Sequence, residues 1–297
     1  MASPLLLSTL PALAVAGVTL DRLLARQEAR RFPAPDRQVV LGGIRIHYAL
    51  RGDWQQTGPV AVLDAAAGEW STHWGRTAEL LGRTCPVLQY DRAGLGWSAQ
   101  DPTPHGLDDS CVLLHQLLGA AAPGRPVVLV AERDAAERAL LFARRYPHEV
   151  VGLMLIDPPA LEDEAAPAGE RRKVSDPLLP LLATTGWARW LQPRAAVPGD
   201  LVEHLSAHEQ RLIAALGRRP ATLAAARSEQ ARDASPAATA QPPTCPIAVL
   251  HGRQGEDAAA LAAATLKAEL HAVDCATRPH LAQPELLAGA VAAILAH

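Results

Sequence analysis

The chain has 297 residues, 49% of them from the set AVILMFWYC, with 28 basic side chains against 31 acidic ones and a net charge of −3. That length suits one large domain, or one domain carrying an insertion. A charge so small and mixed excludes the basic face that nucleic acid requires, and no nucleic-acid partner is expected.

Residues 1–20 carry no ionisable side chain, and Asp21 is the first. Twenty such residues can span about 30 Å of hydrocarbon as a helix, although Pro4, Pro11 and Gly17 dilute the run. Three readings compete. A secretory signal has Ala14-Val15-Ala16 as a cleavage site but lacks a positive n-region. A membrane anchor fits better, because Arg22, Arg26, Arg30 and Arg31 follow at once and positive flanks stay cytoplasmic. The third reading is a helix packed on this protein or on a partner. The helical pattern continues from Asp21 to Phe32 and ends at Pro33 and Pro35. Residues 1–37 are thus expected to form an N-terminal hydrophobic helix and stalk, with a membrane contact through 1–20 and a cytoplasmic globular part.

From Gln38 onward, apolar β-type runs alternate with helical patterns. VVLGGIRIHYAL reads as a hairpin turning at Gly42-Gly43. Residues 60–64, 86–91, 126–131 and 150–157 are near-continuous apolar strands, the mark of a parallel sheet buried on both faces. Helical stretches lie between them at 72–82, 107–120 and 134–146, which predicts an open α/β sheet. Residues 160–242 break the rhythm with acidic, Pro-rich and Ala/Arg-rich segments, and read as an inserted helical lid. The alternation resumes with a strand at 246–252, a helix at 256–267, a strand at 269–275 and a last helix from about Gln283 to Ala296. The core is therefore 38–159 together with 243–297.

Cys85, Cys111, Cys245 and Cys275 show no CxxC spacing, and free thiols are expected. His204 and His208, at i and i+4 beside Glu203 and Glu209, share a helical face, but no third ligand or HExxH order accompanies them. No metal or cofactor is expected.

The segment Tyr90-Asp91-Arg92-Ala93-Gly94-Leu95-Gly96-Trp97-Ser98 resembles the strand-to-loop signature of the α/β-hydrolase superfamily without a mismatch. The Gly-rich loop Asp64-Ala65-Ala66-Ala67-Gly68, the run LMLIDPP and the late His280-Leu281-Ala282-Gln283-Pro284-Glu285 agree with it. The stalk ending in FPAPDRQVVLGGIRIHY looks like that of membrane-tethered members. The likeness implies a mostly parallel eight-stranded sheet with a nucleophile on a tight strand-to-helix turn, a base, an orienting acid and backbone N–H donors for an oxyanion.

Carried over position by position, the resemblance puts Arg133 where the nucleophile belongs, Gly255 at the acid and Thr277 at the base. A guanidinium has no accessible lone pair with which to attack a carbonyl. Asp134, Asp257 with its neighbour Glu256, and His280 are the fallback candidates. Asp134 would need a shifted turn and His280 a rebuilt loop; the plainer expectation for His280 is a satisfied structural histidine. The oxyanion donors would be the N–H groups of Ala67 and Asp134. Arg133 is expected to find a carboxylate, with Asp64, Asp157, Glu256 and Asp257 as candidates.

Three replacements together imply lost catalysis. The expected function is that of a catalytically degenerate, membrane-associated accessory or structural subunit with a protein partner. The alternatives are an active hydrolase of esters or similar small substrates using a displaced nucleophile, and a small-molecule sensor using the inherited pocket.

Overall fold

A computed structural model describes residues 4–101, 106–159, 199–230 and 242–296. Eight strands form one sheet in the order β1-β2-β4-β3-β5-β6-β7-β8. They are β1 (Arg37–Leu41), β2 (Ile44–Arg51), β3 (Val60–Asp64), β4 (Val87–Tyr90), β5 (Val127–Glu132), β6 (Val150–Ile156), β7 (Ile247–His251) and β8 (Glu269–Ala272). β2 runs antiparallel to β1 and to β4, and every other pair is parallel. β1 and β2 join through the expected two-residue turn, where Gly42 and Gly43 both take positive φ, the conformation that a tight hairpin asks of its central residues.

The period-2 alternation of the buried strands sorts their side chains onto two faces. Val127, Leu129 and Ala131 of β5 join one core with helices α3 (Leu107–Ala121) and α4 (Ala135–Arg145), while Val128 and Val130 join the other with α2 (Arg76–Leu81). Further along the chain, α8 (Glu256–Leu266) covers the first face and α10 (Pro284–Leu295) the second. Each fully buried Leu or Val contributes about 1.5–3 kcal/mol.

Three expected boundaries shift. The helix expected over 72–82 is two pieces, a 3-10 turn at Ser71–Trp74 and then α2, because Gly75 between them takes φ +48°. The strand expected to reach Cys275 ends at Ala272, and the chain then turns. The last helix is preceded by a separate short one, α9 (Pro279–Ala282), since Pro284 has no N–H to continue it and instead opens α10.

The N-terminal helix α1 runs unbroken from Pro4 to Arg31. The expected membrane-spanning anchor is not found: among the described residues no helix is long and apolar enough to cross a membrane. The prolines, glycine and hydroxyl residues that dilute the run account for this. Its C-terminal end is docked on the body instead. Phe32 is buried, its carbonyl accepts from Trp97 Nε1 at 3.1 Å, and Glu28 Oε2 lies 3.9 Å from Arg219 Nε.

Of the insertion expected over 160–242, residues 160–198 and 231–241 lie outside the described part. Within 199–230 the chain is helical, as α5 (Gly199–Val202), α6 (Ala207–Leu216) and α7 (Pro220–Gln230). These helices pack an apolar cluster of Leu201, Leu205, Ile213 and Leu216 onto Trp70, Leu95 and Leu281.

The signature loop after β4 is held by its own polar groups. Asp91 accepts from Ser71 N at 3.0 Å and Trp97 N at 2.9 Å, and its carboxylate lies 2.9 Å from His47 Nδ1. Ser98 Oγ donates to the Asp91 carbonyl at 2.6 Å and accepts from His47 N at 2.9 Å, which makes it a fastener of the loop. Gly94, at φ +82°, allows α7 to approach: a Cβ there would lie 2.7 Å from that of Ala225.

Behind this loop Asp64, at the end of β3, is buried between two arginines. Arg138 reaches it with Nε at 2.6 Å and Nη2 at 2.9 Å, and Arg92 with Nη1 at 2.8 Å. Replacing Asp64 with Asn leaves two buried guanidiniums short of charge. We expect Asp64→Asn to cost about 3–5 kcal/mol in urea unfolding, against less than about 1 kcal/mol for the exposed pair member Asp274→Asn.

Candidate functional site

In an open α/β sheet, ligands bind beyond the carboxyl ends of the strands, where the strand order reverses. Here that point lies between β3 and β5, which carry the Ala65–Glu69 loop and the turn into α4. Arg133 stands in that turn with φ +50°. Asp157, after β6, and Arg278, after β8, also take positive φ, at +44° and +53°. A left-handed backbone costs a residue with a Cβ about 1–2 kcal/mol, so three of them around one sheet edge mark a place where the surrounding fold dictates the geometry.

The side chains there form a charged cluster. Arg133, 43% exposed, does find a carboxylate, but not one of the four anticipated: its Nη2 lies 2.8 Å from Glu69 Oε1, with Glu132 Oε1 3.9 Å from its Nε. Asp64 is taken by Arg92 and Arg138. The Asp157 carboxylate accepts from Gly252 N at 2.9 Å. Glu256 and Asp257 sit exposed in the first turn of α8.

The centre of the cluster is Arg278, which sequence reasoning missed. It is buried, with Nη2 and Nη1 at 2.6 and 2.9 Å from the Glu69 carboxylate, Nη1 at 3.1 Å from Glu132 Oε1 and Nε at 2.7 Å from Asp200 Oδ2. One guanidinium thus ties the Gly-rich loop, the end of β5 and the inserted helix α5 together. Its neighbour Thr277 is half-buried. Gly255 lies in a 3-10 turn after β7, where the space of a side chain is filled: a Cβ would stand 2.7 Å from Asp157 Oδ1.

The backbone donors of the Gly-rich loop are already engaged. Ala67 N–H donates to the Asp134 carboxylate, at 2.9 and 3.1 Å from its two oxygens, and Gly68 N–H donates to Glu229 Oε2 at 2.8 Å. Glu229, on α7, is also gripped by Arg92 at 2.6 and 2.9 Å.

His280 is fully buried. Its carbonyl accepts from Thr77 Oγ1 at 2.9 Å, but among the described residues neither ring nitrogen has a hydrogen-bond partner. Nε2 is 4.0 Å from Glu132 Oε2, and the ring packs 4.9 Å from that of Trp74.

The fields in this cluster diverge. Burial would raise Glu69, but His73 and then the guanidiniums of Arg278 and Arg133 hold it well below the usual carboxylate range. Burial, with ionised Glu69 beside it, pushes Glu132 up to about 8. Burial, reinforced by the charge on Arg278, pushes His280 down to about 3. Burial opposes ionisation of Glu229 too, yet Arg92 brings it down to about 2.

His204 and His208 are not brought together with a further ligand. His208 packs 6.2 Å from the Phe32 ring, and His204 lines a surface cleft of about 420 Å³ with Arg76, Leu281 and Glu285. Among the described residues no group of three His, Cys, Asp or Glu side chains is placed to hold a metal ion. The four cysteines are free thiols.

The sheet order, the tight turn from β5 into α4 and the covering helices together define an α/β-hydrolase fold. The comparisons agree. An enol-lactonase from Burkholderia xenovorans LB400 superposes with a TM-score of 0.67 at 17% identity, covering 88% of this chain and 100% of that one. A thermophilic esterase from Thermogutta terrifontis gives 0.63 at 22% identity, over 87% and 97%. An epoxide hydrolase gives 0.64 at 15% identity, over 88% and 98%. In sequence, the chain is 31% identical over 110 residues to YqjL, an uncharacterised protein of Bacillus subtilis; the match spans 37% of this chain and only 43% of that protein. No family model matches.

Two measurements test the electrostatics. A carboxyl with a raised folded-state pKa stabilises the fold below its unfolded value of 4.5 and loses that contribution as pH rises towards 8. Glu132→Gln should therefore raise the unfolding free energy by about 1–3 kcal/mol at pH 8 and change it little at pH 4.5; an equal effect at both would show that Glu132 ionises normally. His280 has the opposite sign, because its depressed pKa gives stability that is lost as pH falls from 6.5 towards 3. His280→Leu should flatten that acid limb in urea unfolding followed by tryptophan fluorescence.

Proposed function

We propose that this chain is a catalytically silent α/β-hydrolase-fold protein serving as a membrane-associated accessory or structural subunit. One observation carries the silence: the strand-to-helix turn that holds the nucleophile in this fold is occupied by Arg133, whose guanidinium is neutralised by Glu69. An arginine in that ion pair neither attacks nor abstracts a proton at ordinary pH. The positions carried over for the acid and the base, Gly255 and Thr277, bring no carboxylate and no imidazole.

The oxyanion chemistry is equally engaged. Transition-state stabilisation needs free N–H donors aimed at the developing charge, and the Ala67 donor already faces the Asp134 carboxylate. A sheet, a signature loop and strained turns kept without a nucleophile remain useful as a surface, and that supports the accessory role.

A second reading, an active hydrolase of esters or related small substrates, draws on the superposed enzymes and on Asp134, an exposed carboxylate beside the turn. Purified full-length protein assayed with p-nitrophenyl esters decides between them. We expect hydrolysis no faster than buffer, unchanged in Asp134→Ala and His280→Ala. Turnover that either substitution abolishes would establish the second reading.

A further inference from the structure

The charges of α1 are partitioned between its two sides. Its two acidic residues, Asp21 and Glu28, are half-buried on the side that carries buried Gly17 and half-buried Leu24 and leads to Phe32. Its four basic residues, Arg22, Arg26, Arg30 and Arg31, are all exposed. Arg22, Arg26 and Arg30 follow one another at i, i+4 and i+8, so they form a ladder along the outer surface. Exposed apolar groups run with the ladder: Leu23 is 55% exposed, Leu20 41% and Val15 66%. Towards its start the same helix continues as a charge-free stretch, residues 4–20, about 25 Å long at 1.5 Å per residue.

From this arrangement we infer that α1 lies along the surface of an anionic phospholipid bilayer, with the arginine ladder at the phosphates and the charge-free stretch among the upper acyl chains. The inference rests on the membrane-associated part of the reading above and is independent of the loss of catalysis. The helix is not long and apolar enough to cross a membrane, whereas a helix lying in the interface draws on basic residues at the phosphates and apolar groups beside them. Arginine stems extend along apolar surface while their heads stay with the phosphates, so Leu23 can enter between them. An acidic protein surface would match the ladder alone and would leave Val15, Leu20 and Leu23 in water. A bilayer accommodates both. The side facing away from lipid is already fixed, because Trp97, Arg219 and the carbonyl of Phe32 dock the end of α1 on the body.

Full-length protein is floated with vesicles of phosphatidylcholine alone, and with vesicles in which about a third of the lipid is phosphatidylglycerol. The triple variant Arg22→Gln, Arg26→Gln, Arg30→Gln is run beside it, with thermal unfolding confirming that both are folded. We expect the wild type to float with the anionic vesicles and to be released by raised salt. The triple variant should partition about a hundredfold less, since each basic residue near an anionic surface is worth about fivefold. A wild type that stays in the dense fraction overturns the inference, whatever acidic protein it then captures, and so does equal flotation of the triple variant or equal binding to neutral vesicles. None of these outcomes alters the ester assay, so the silent-site reading stands or falls separately.

Discussion

Asp64 is a carboxylate at the end of a strand, enclosed by two guanidiniums, and much of the site is arranged around it. Arg138 approaches from α4 and Arg92 from the signature loop. Having met Asp64, Arg92 has donors left over, and they go to the carbonyls of Ala65, Ala66 and Glu69 and to the carboxylate of Glu229. A buried guanidinium must place all its N–H groups, so one ion pair fixes the curvature of the Gly-rich loop and the seat of α7 together.

A second guanidinium, Arg278, acts similarly from the turn after β8. It brings Glu69 and Glu132 close together although carboxylates repel, and it fastens α5 through Asp200. The repulsion is relieved by protonation of one partner, which explains why Glu69 and Glu132 are shifted in opposite directions. His280 is left neutral behind them, its ring without a hydrogen bond among the described residues. The inserted helices are thus joined to the sheet by two ion pairs, Arg92 with Glu229 and Arg278 with Asp200, set beside the apolar contacts of Leu201, Leu205 and Leu216.

The sheet was legible in the sequence because its strands announce themselves: VAVLD, PVVLVA and VVGLMLID are short, apolar and bounded by turn residues. The hairpin was legible from Gly42-Gly43, and the turn at Arg133 from the small residues flanking it. Glu69 and Arg278 were not legible as partners, since 209 residues separate them and neither belongs to a periodic pattern. Their local signals were faint: a carboxylate directly after a Gly-rich loop, and an arginine directly before Pro279-His280. The filling of the Gly255 space by Asp157 was hidden in the same way, because sequence lists side chains but not the volume each vacates for another.

The bond between Ala67 N–H and the Asp134 carboxylate sets a competition that no dissolved molecule enters on equal terms. A tethered group faces its partner at an effective concentration that can reach the molar range and beyond, whereas a substrate carbonyl arrives from dilute solution and bears less charge. Asp134 is therefore a built-in partner for that backbone donor. Any other group that sought the Ala67 N–H would first have to displace that carboxylate.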